Sequence, residues 1–170
     1  MLNILADIIL IILLGLCLYT DIREGKIYNK FIFPAFVAAL ILALMIEGIS
    51  GLKISLMGAA TGLVVMILPY FLGGMGAGDV KLLMVIGALK GAEFTFQAAL
   101  ATFIVGGVIA AALITYRRQW KQTLSRLKAF FTVLPAYKNG NYGAAAIDGD
   151  YSFPYGIAIT AGTLIVFLMG

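Results

Sequence analysis

Histidine is absent from the chain and cysteine occurs once, as Cys17, so side-chain acid–base chemistry has to come from carboxylates. A Ser/His/Asp triad, a Cys–His nucleophile pair, a disulfide within the chain and a thiolate or imidazole zinc cage are all excluded. Cys17 lies inside an apolar run and reads as a small packing residue. Eight acidic residues remain. Asp7, Glu47 and Glu93 fall near the outer ends of apolar stretches, Glu24 sits among basic neighbours, and Asp148 and Asp150 lie in a polar loop. All six read as solvated charges, Asp7 least comfortably because it lies about one turn inside its stretch. Asp21 and Asp79 differ. Asp21 directly follows an apolar stretch, where the negative end of a helix dipole disfavours a carboxylate unless something compensates. Asp79 closes the run Gly73-Gly74-Met75-Gly76-Ala77-Gly78-Asp79, which is too rich in glycine for a stable helix. At membrane depth such backbone is tolerated only where it lines a polar cavity or is buried in protein. If the two aspartates meet, they can share one proton, since like charges that close cannot both ionise. One then takes a proton from water while the other hydrogen-bonds a carbonyl. The competing reading has Asp79 capping the helix after it and Asp21 paired with Arg23 or Lys26.

The elements that must position these groups are membrane helices. Hydrophobic residues make up 62% of the chain and charged residues 12%, and the mean hydropathy is +1.05. A soluble domain has about 25% charged residues, and a small one could not hide so much apolar surface. A span needs about 20 mostly apolar residues. Stretches 4–19, 31–46, 54–72, 94–116 and 153–169 meet or approach that length, and 80–89 is half of it. The first lacks a basic flank and a small-residue cleavage site, so it reads as a retained helix rather than a signal peptide. The expected fold is all-α, a polytopic membrane bundle of about six transmembrane helices in one domain, residues 1–170.

Basic residues orient it. With the N-terminus outside, Arg23, Lys26, Lys30, Lys81, Arg117, Arg118, Lys121, Arg126, Lys128 and Lys138 face inward, and of the 12 basic residues only Lys53 and Lys90 face out. Both termini are then extracytoplasmic. In residues 117–134, Trp120, Leu124, Leu127, Phe131 and Leu134 recur at three- and four-residue steps among basic residues. That pattern predicts a basic amphipathic helix lying on membrane lipid before the last span.

Gly76-Ala77-Gly78-Asp79 followed by Val80-Lys81-Leu82 resembles the GxGD signature of the type IV prepilin peptidases. Tyr19-Thr20-Asp21-Ile22-Arg23 with Ile27-Tyr28-Asn29 is similar to that family's D-x-R-x-x-x-I-P-N motif, with Tyr28 in place of the proline. Phe153-Pro154-Tyr155-Gly156-Ile157-Ala158-Ile159 resembles its P-Y-G-x-A-I segment. The resemblance implies an intramembrane aspartyl endopeptidase, with Asp21 and Asp79 catalytic and no metal or other cofactor. Gly76 and Gly78 would shape the loop, Lys81 would sit beside the second aspartate, and Pro154, Tyr155 and Gly156 would line the site. It implies a prepilin or pilin-like partner and no nucleic acid. The short basic leader of that partner would be cut on the cytosolic side of a prokaryotic inner membrane. The zinc-binding N-terminal domain of the larger, methylating members has no counterpart here, so the chain looks more like the compact peptidase-only members found with tight-adherence (Flp) pili. The alternative is a membrane transporter or secretion-machine subunit that uses Asp21 and Asp79 to handle protons or ions.

Overall fold

The computed structural model describes residues 2–71, 75–116 and 155–169. The elements found there are α-helices: α1 Leu2–Glu24, α2 Asn29–Phe71, α3 Ala77–Lys90, α4 Ala92–Tyr116 and α5 Tyr155–Met169. The chain divides into two compact units, Met1–Gly106 with Ser152–Gly170, and Gly107–Tyr151. The first contains every contact discussed below. The described part of the second is the closing stretch of α4.

Among the described residues, α1, α2 and α4 are each long and apolar enough to cross a membrane, and α5 is apolar but shorter. Ile4, Ile8, Ile11 and Ile12 stand exposed on α1, a surface that lipid, not water, would cover. The protein is a helical membrane bundle. The six expected stretches fall on five described helices, because 31–46 and 54–72 both belong to α2. The amphipathic helix expected at 117–134 and the loop after it lie outside the described residues.

Helix α1 runs past the end of its apolar stretch. It stops where Gly25 takes a left-handed φ of 61° and its N–H bonds the Asp21 carbonyl at 2.9 Å, a common way to close a helix with glycine. Asp21 therefore lies inside the last turn rather than after the helix, a correction of one turn to the sequence reading. Helix α2 has 43 residues, about 64 Å at 1.5 Å per residue, twice the ~30 Å of a hydrocarbon core. It is broken at Gly48, whose φ of 61° and ψ of −140° are not helical. Just beyond, Gly51 lies so near the Ala43 carbonyl that a Cβ would meet its oxygen at 2.2 Å. Ala39 and Ala59, from either side of the break, share a small core with Ala88 of α3. The two arms thus turn back on each other.

The second arm holds α3 by backbone contact. A Cβ on Gly58 would lie 2.0 Å from the Gly87 carbonyl oxygen, one on Gly87 would lie 2.0 Å from that of Gly58, and one on Gly62 would lie 2.5 Å from that of Leu83. Ser55 adds a hydrogen bond from Oγ to the Ala88 carbonyl at 2.7 Å. Helices in lipid associate through close packing of small residues rather than by a hydrophobic drive. Held there, α3 buries Leu82, Leu83, Val85 and Ile86 completely. The middle of this 14-residue helix is apolar and mostly buried, as a segment inside a bundle should be. Helix α5 packs on α4 where Gly162 meets the Thr102 backbone nitrogen.

Candidate active site

Asp21 and Asp79 are the two buried carboxylates among the described residues, at 6% and 8% exposure. The closing turn of α1 presents the first and the opening turn of α3 the second. Tyr155 and Gly156, the first residues of α5, join them. The Gly156 N–H donates to Asp21 Oδ2 at 2.9 Å. The first N–H groups of a helix have no partner within it and carry partial positive charge. The start of α5 therefore supplies the compensation that a carboxylate at the negative end of α1 requires. Asp79 Oδ2 accepts the Gly76 N–H at 2.9 Å, and the Asp79 N–H donates to the Gly76 carbonyl at 3.1 Å. This is half of a capping box, since glycine has no side chain to complete it. The competing reading of Asp79 as a cap is thus correct in geometry, and it coexists with burial beside a second carboxylate. Asp21 and Asp79 lie within electrostatic reach of each other, and Tyr155 within that of Asp79.

Two glycines are small because space demands it. A Cβ on Gly156 would meet Asp21 Oδ2 at 2.6 Å and its Cγ at 2.9 Å, and one on Gly78 would meet Ile27 Cβ at 2.8 Å. Gly76 is roomier: its φ is −82° and a Cβ would lie 3.4 Å from Asp79 Oδ2. Gly78 and Asp79 are in the first turn of α3, so the non-helical backbone expected up to Asp79 ends at Gly76.

The turn between α1 and α2 is tied down around this site. Ile27 covers Gly78, and Lys81 Nζ donates to Asn29 Oδ1 at 3.1 Å. Lys81 is exposed and is engaged by Asn29, whereas the resemblance implied a place beside Asp79. The Tyr28 hydroxyl donates to Glu24, which is therefore bonded rather than a plain solvated charge. That bond, with the Glu24 charge, raises the Tyr28 pKa above the ordinary phenol value. Arg23 lies over the Tyr19 ring at 5.2 Å. The ion pair found among the described residues joins Lys90 Nζ to Asp7 Oδ1 at 2.6 Å, so neither Arg23 nor Lys26 pairs with Asp21 and Asp7 is not simply solvated. Cys17 is fully buried in the apolar core. Pro154, Asp148 and Asp150 lie outside the described residues.

Sequence reasoning passed over two glycine pairs and two side-chain links. Gly58–Gly62 and Gly87–Gly91, each a pair of glycines four apart, were readable as close helix contacts. The Asn29–Lys81 and Asp7–Lys90 links join positions 52 and 83 residues apart and leave no local signal.

The model of the type IV leader peptidase family matches residues 8–111. Neither a curated protein nor a solved structure matches the chain.

Proposed function

The chain belongs to the type IV leader peptidase family, and from that premise we propose that it is an intramembrane aspartyl endopeptidase whose catalytic pair is Asp21 and Asp79. Its substrates are type IV prepilins or pilin-like precursors, and it removes their short basic leader at the cytosolic face of a prokaryotic inner membrane. One observation carries the assignment of the pair: two buried carboxylates, from α1 and α3, come within electrostatic reach of each other, each held by a backbone N–H.

The chemistry follows from the shared proton. The ionised carboxylate takes a proton from a water as its oxygen attacks the scissile carbonyl carbon. The protonated partner donates to the carbonyl oxygen, so the developing tetrahedral species carries no free charge. As the C–N bond breaks, the leaving amine takes the proton held by the first aspartate. The second aspartate, ionised by its earlier donation, takes a proton back from a hydroxyl of the tetrahedral species, which restores the shared proton. The Gly156 and Gly76 N–H groups fix the carboxylates in orientation through both steps. Cleavage on the cytosolic side accords with the basic residues flanking this end of α1, α2 and α3, namely Arg23, Lys26, Lys30 and Lys81, under the positive-inside rule.

Co-expression with a prepilin tests the reading. The expected result is a faster-migrating product whose new N-terminus follows the leader. A substrate left at full length by abundant, membrane-inserted protein would overturn it.

A further inference from the structure

At the end of the bundle away from the two aspartates, Lys90 gathers four helices. It is the last residue of α3, and its Nζ lies 2.6 Å from Asp7 Oδ1 on α1. The same nitrogen lies 5.5 Å from the ring centre of Phe94 on α4 and 4.9 Å from that of Phe167 on α5. Lys90 keeps 23% and Asp7 33% of its side-chain surface, so the pair is largely withdrawn from solvent. Glu93 lines the same cavity, yet it is Asp7 that closes on the ammonium.

Asp7 and Asp21 share α1, about 21 Å apart along its axis, and Lys90 and Asp79 share α3, about 16 Å apart. Between these ends the facing surfaces are apolar: Leu10, Leu14 and Cys17 on α1, Leu83 and Ile86 on α3, all essentially fully buried. Apolar burial is non-directional, so such a seam resists separation of the helices better than it resists sliding. The second arm of α2 locks its register on α3 through glycine backbone contacts, whereas the glycine of α1, Gly15, is exposed, and a Cβ there would meet nothing within 4 Å, so it makes no such lock. What α1 does have against α3 is a charge pair, and charges partly removed from water hold registry where apolar contacts do not.

We infer that Asp7 and Lys90 are positioning residues for the site: their ion pair fixes the axial register of α1 against α3 and thereby the separation of Asp21 from Asp79. The link to catalysis rests on the proposed peptidase activity, but the register can be read without it. In a Cys17→Ala background, oxidation of an Asp21→Cys/Asp79→Cys protein in membranes reports the approach of the two positions by the rate of cross-linking. Adding Asp7→Asn or Lys90→Gln should slow cross-linking at least tenfold. In the otherwise native chain, each single substitution should lower kcat by roughly 10- to 100-fold, since a displacement near 1 Å costs up to ~10²-fold, with KM little changed. The exchanged pair Asp7→Lys/Lys90→Asp should recover much of both readouts. A merely stabilising role would lower the amount of inserted protein without changing kcat per molecule or the cross-linking rate, and that result would overturn the inference. So would loss of cleavage with cross-linking unchanged. If the native chain cleaves no prepilin but Asp7→Asn still slows cross-linking, the peptidase reading fails and the register inference stands.

Discussion

Gly156→Ala places one methyl group where the structure has no room for it. The new carbon would stand 2.6 Å from Asp21 Oδ2 and 2.9 Å from Cγ, whereas comfortable carbon contacts lie near 3.5–4.0 Å. Relief requires a movement approaching 1 Å by the Asp21 carboxylate or by the start of α5. Either movement stretches the 2.9 Å bond from the Gly156 N–H. A hydrogen bond to a charged acceptor is worth about 1.5–3 kcal/mol, and overpacking a filled site costs about 1–3 kcal/mol. The strain is local and the bundle should still insert, but the aspartate leaves its working position. A misplacement of about 1 Å costs on the order of 10²-fold in rate. Steady-state cleavage of a prepilin in detergent or proteoliposomes should therefore show kcat down about a hundredfold with KM changed little. Gly76→Ala is the comparison, because its Cβ would lie at 3.4 Å and its φ suits any residue; its loss should be much the smaller. Gly156→Ala protein that cleaves within about threefold of the native rate would refute the argued contact between α5 and Asp21.

Gly78→Ala should push Ile27 off the first turn of α3, where a Cβ would approach its Cβ to 2.8 Å, and lower kcat at least tenfold by the same sensitivity to small displacements; the measurement is again kcat per inserted molecule. Metal chelation should leave cleavage intact, because the proposed chemistry uses carboxylates and water alone; loss of activity in EDTA that zinc restores would contradict it. Reporter fusions after Arg118 should read as cytosolic, and fusions after Gly51 or at the C-terminus as external. The reverse pattern would put Asp21 on the wrong side for a cytosolic leader.

The aspartates were legible because a carboxylate at a helix end or after a glycine run is an expensive thing to place in a membrane, and few such residues exist in this chain. Helix positions were legible from apolar length alone. Helix ends were not: α1 extends to Glu24 because Gly25 supplies the left-handed turn, and hydropathy carries no trace of that. The nature of the break in α2 was hidden for a similar reason, since one glycine at φ 61° folds a run that otherwise reads as two separate spans. Lys81 shows the limit of carrying a role over by motif. It stands two residues after Asp79, but on a helix side chains two apart point about 160° from each other, and this one reaches Asn29. The Asp7–Lys90 pair was half visible, as one charge set uncomfortably inside a span whose partner only the packing of α1 on α3 could reveal.

The central claim is that Asp21 and Asp79 together perform the cleavage. The most direct measurement is the rate at which purified native, Asp21→Asn and Asp79→Asn proteins, matched for inserted amount, cleave one prepilin. An amide keeps the shape of the carboxylate but cannot ionise or exchange the shared proton, so product should fall below detection for both variants while native protein converts the substrate fully. Substantial cleavage by either variant would contradict the account.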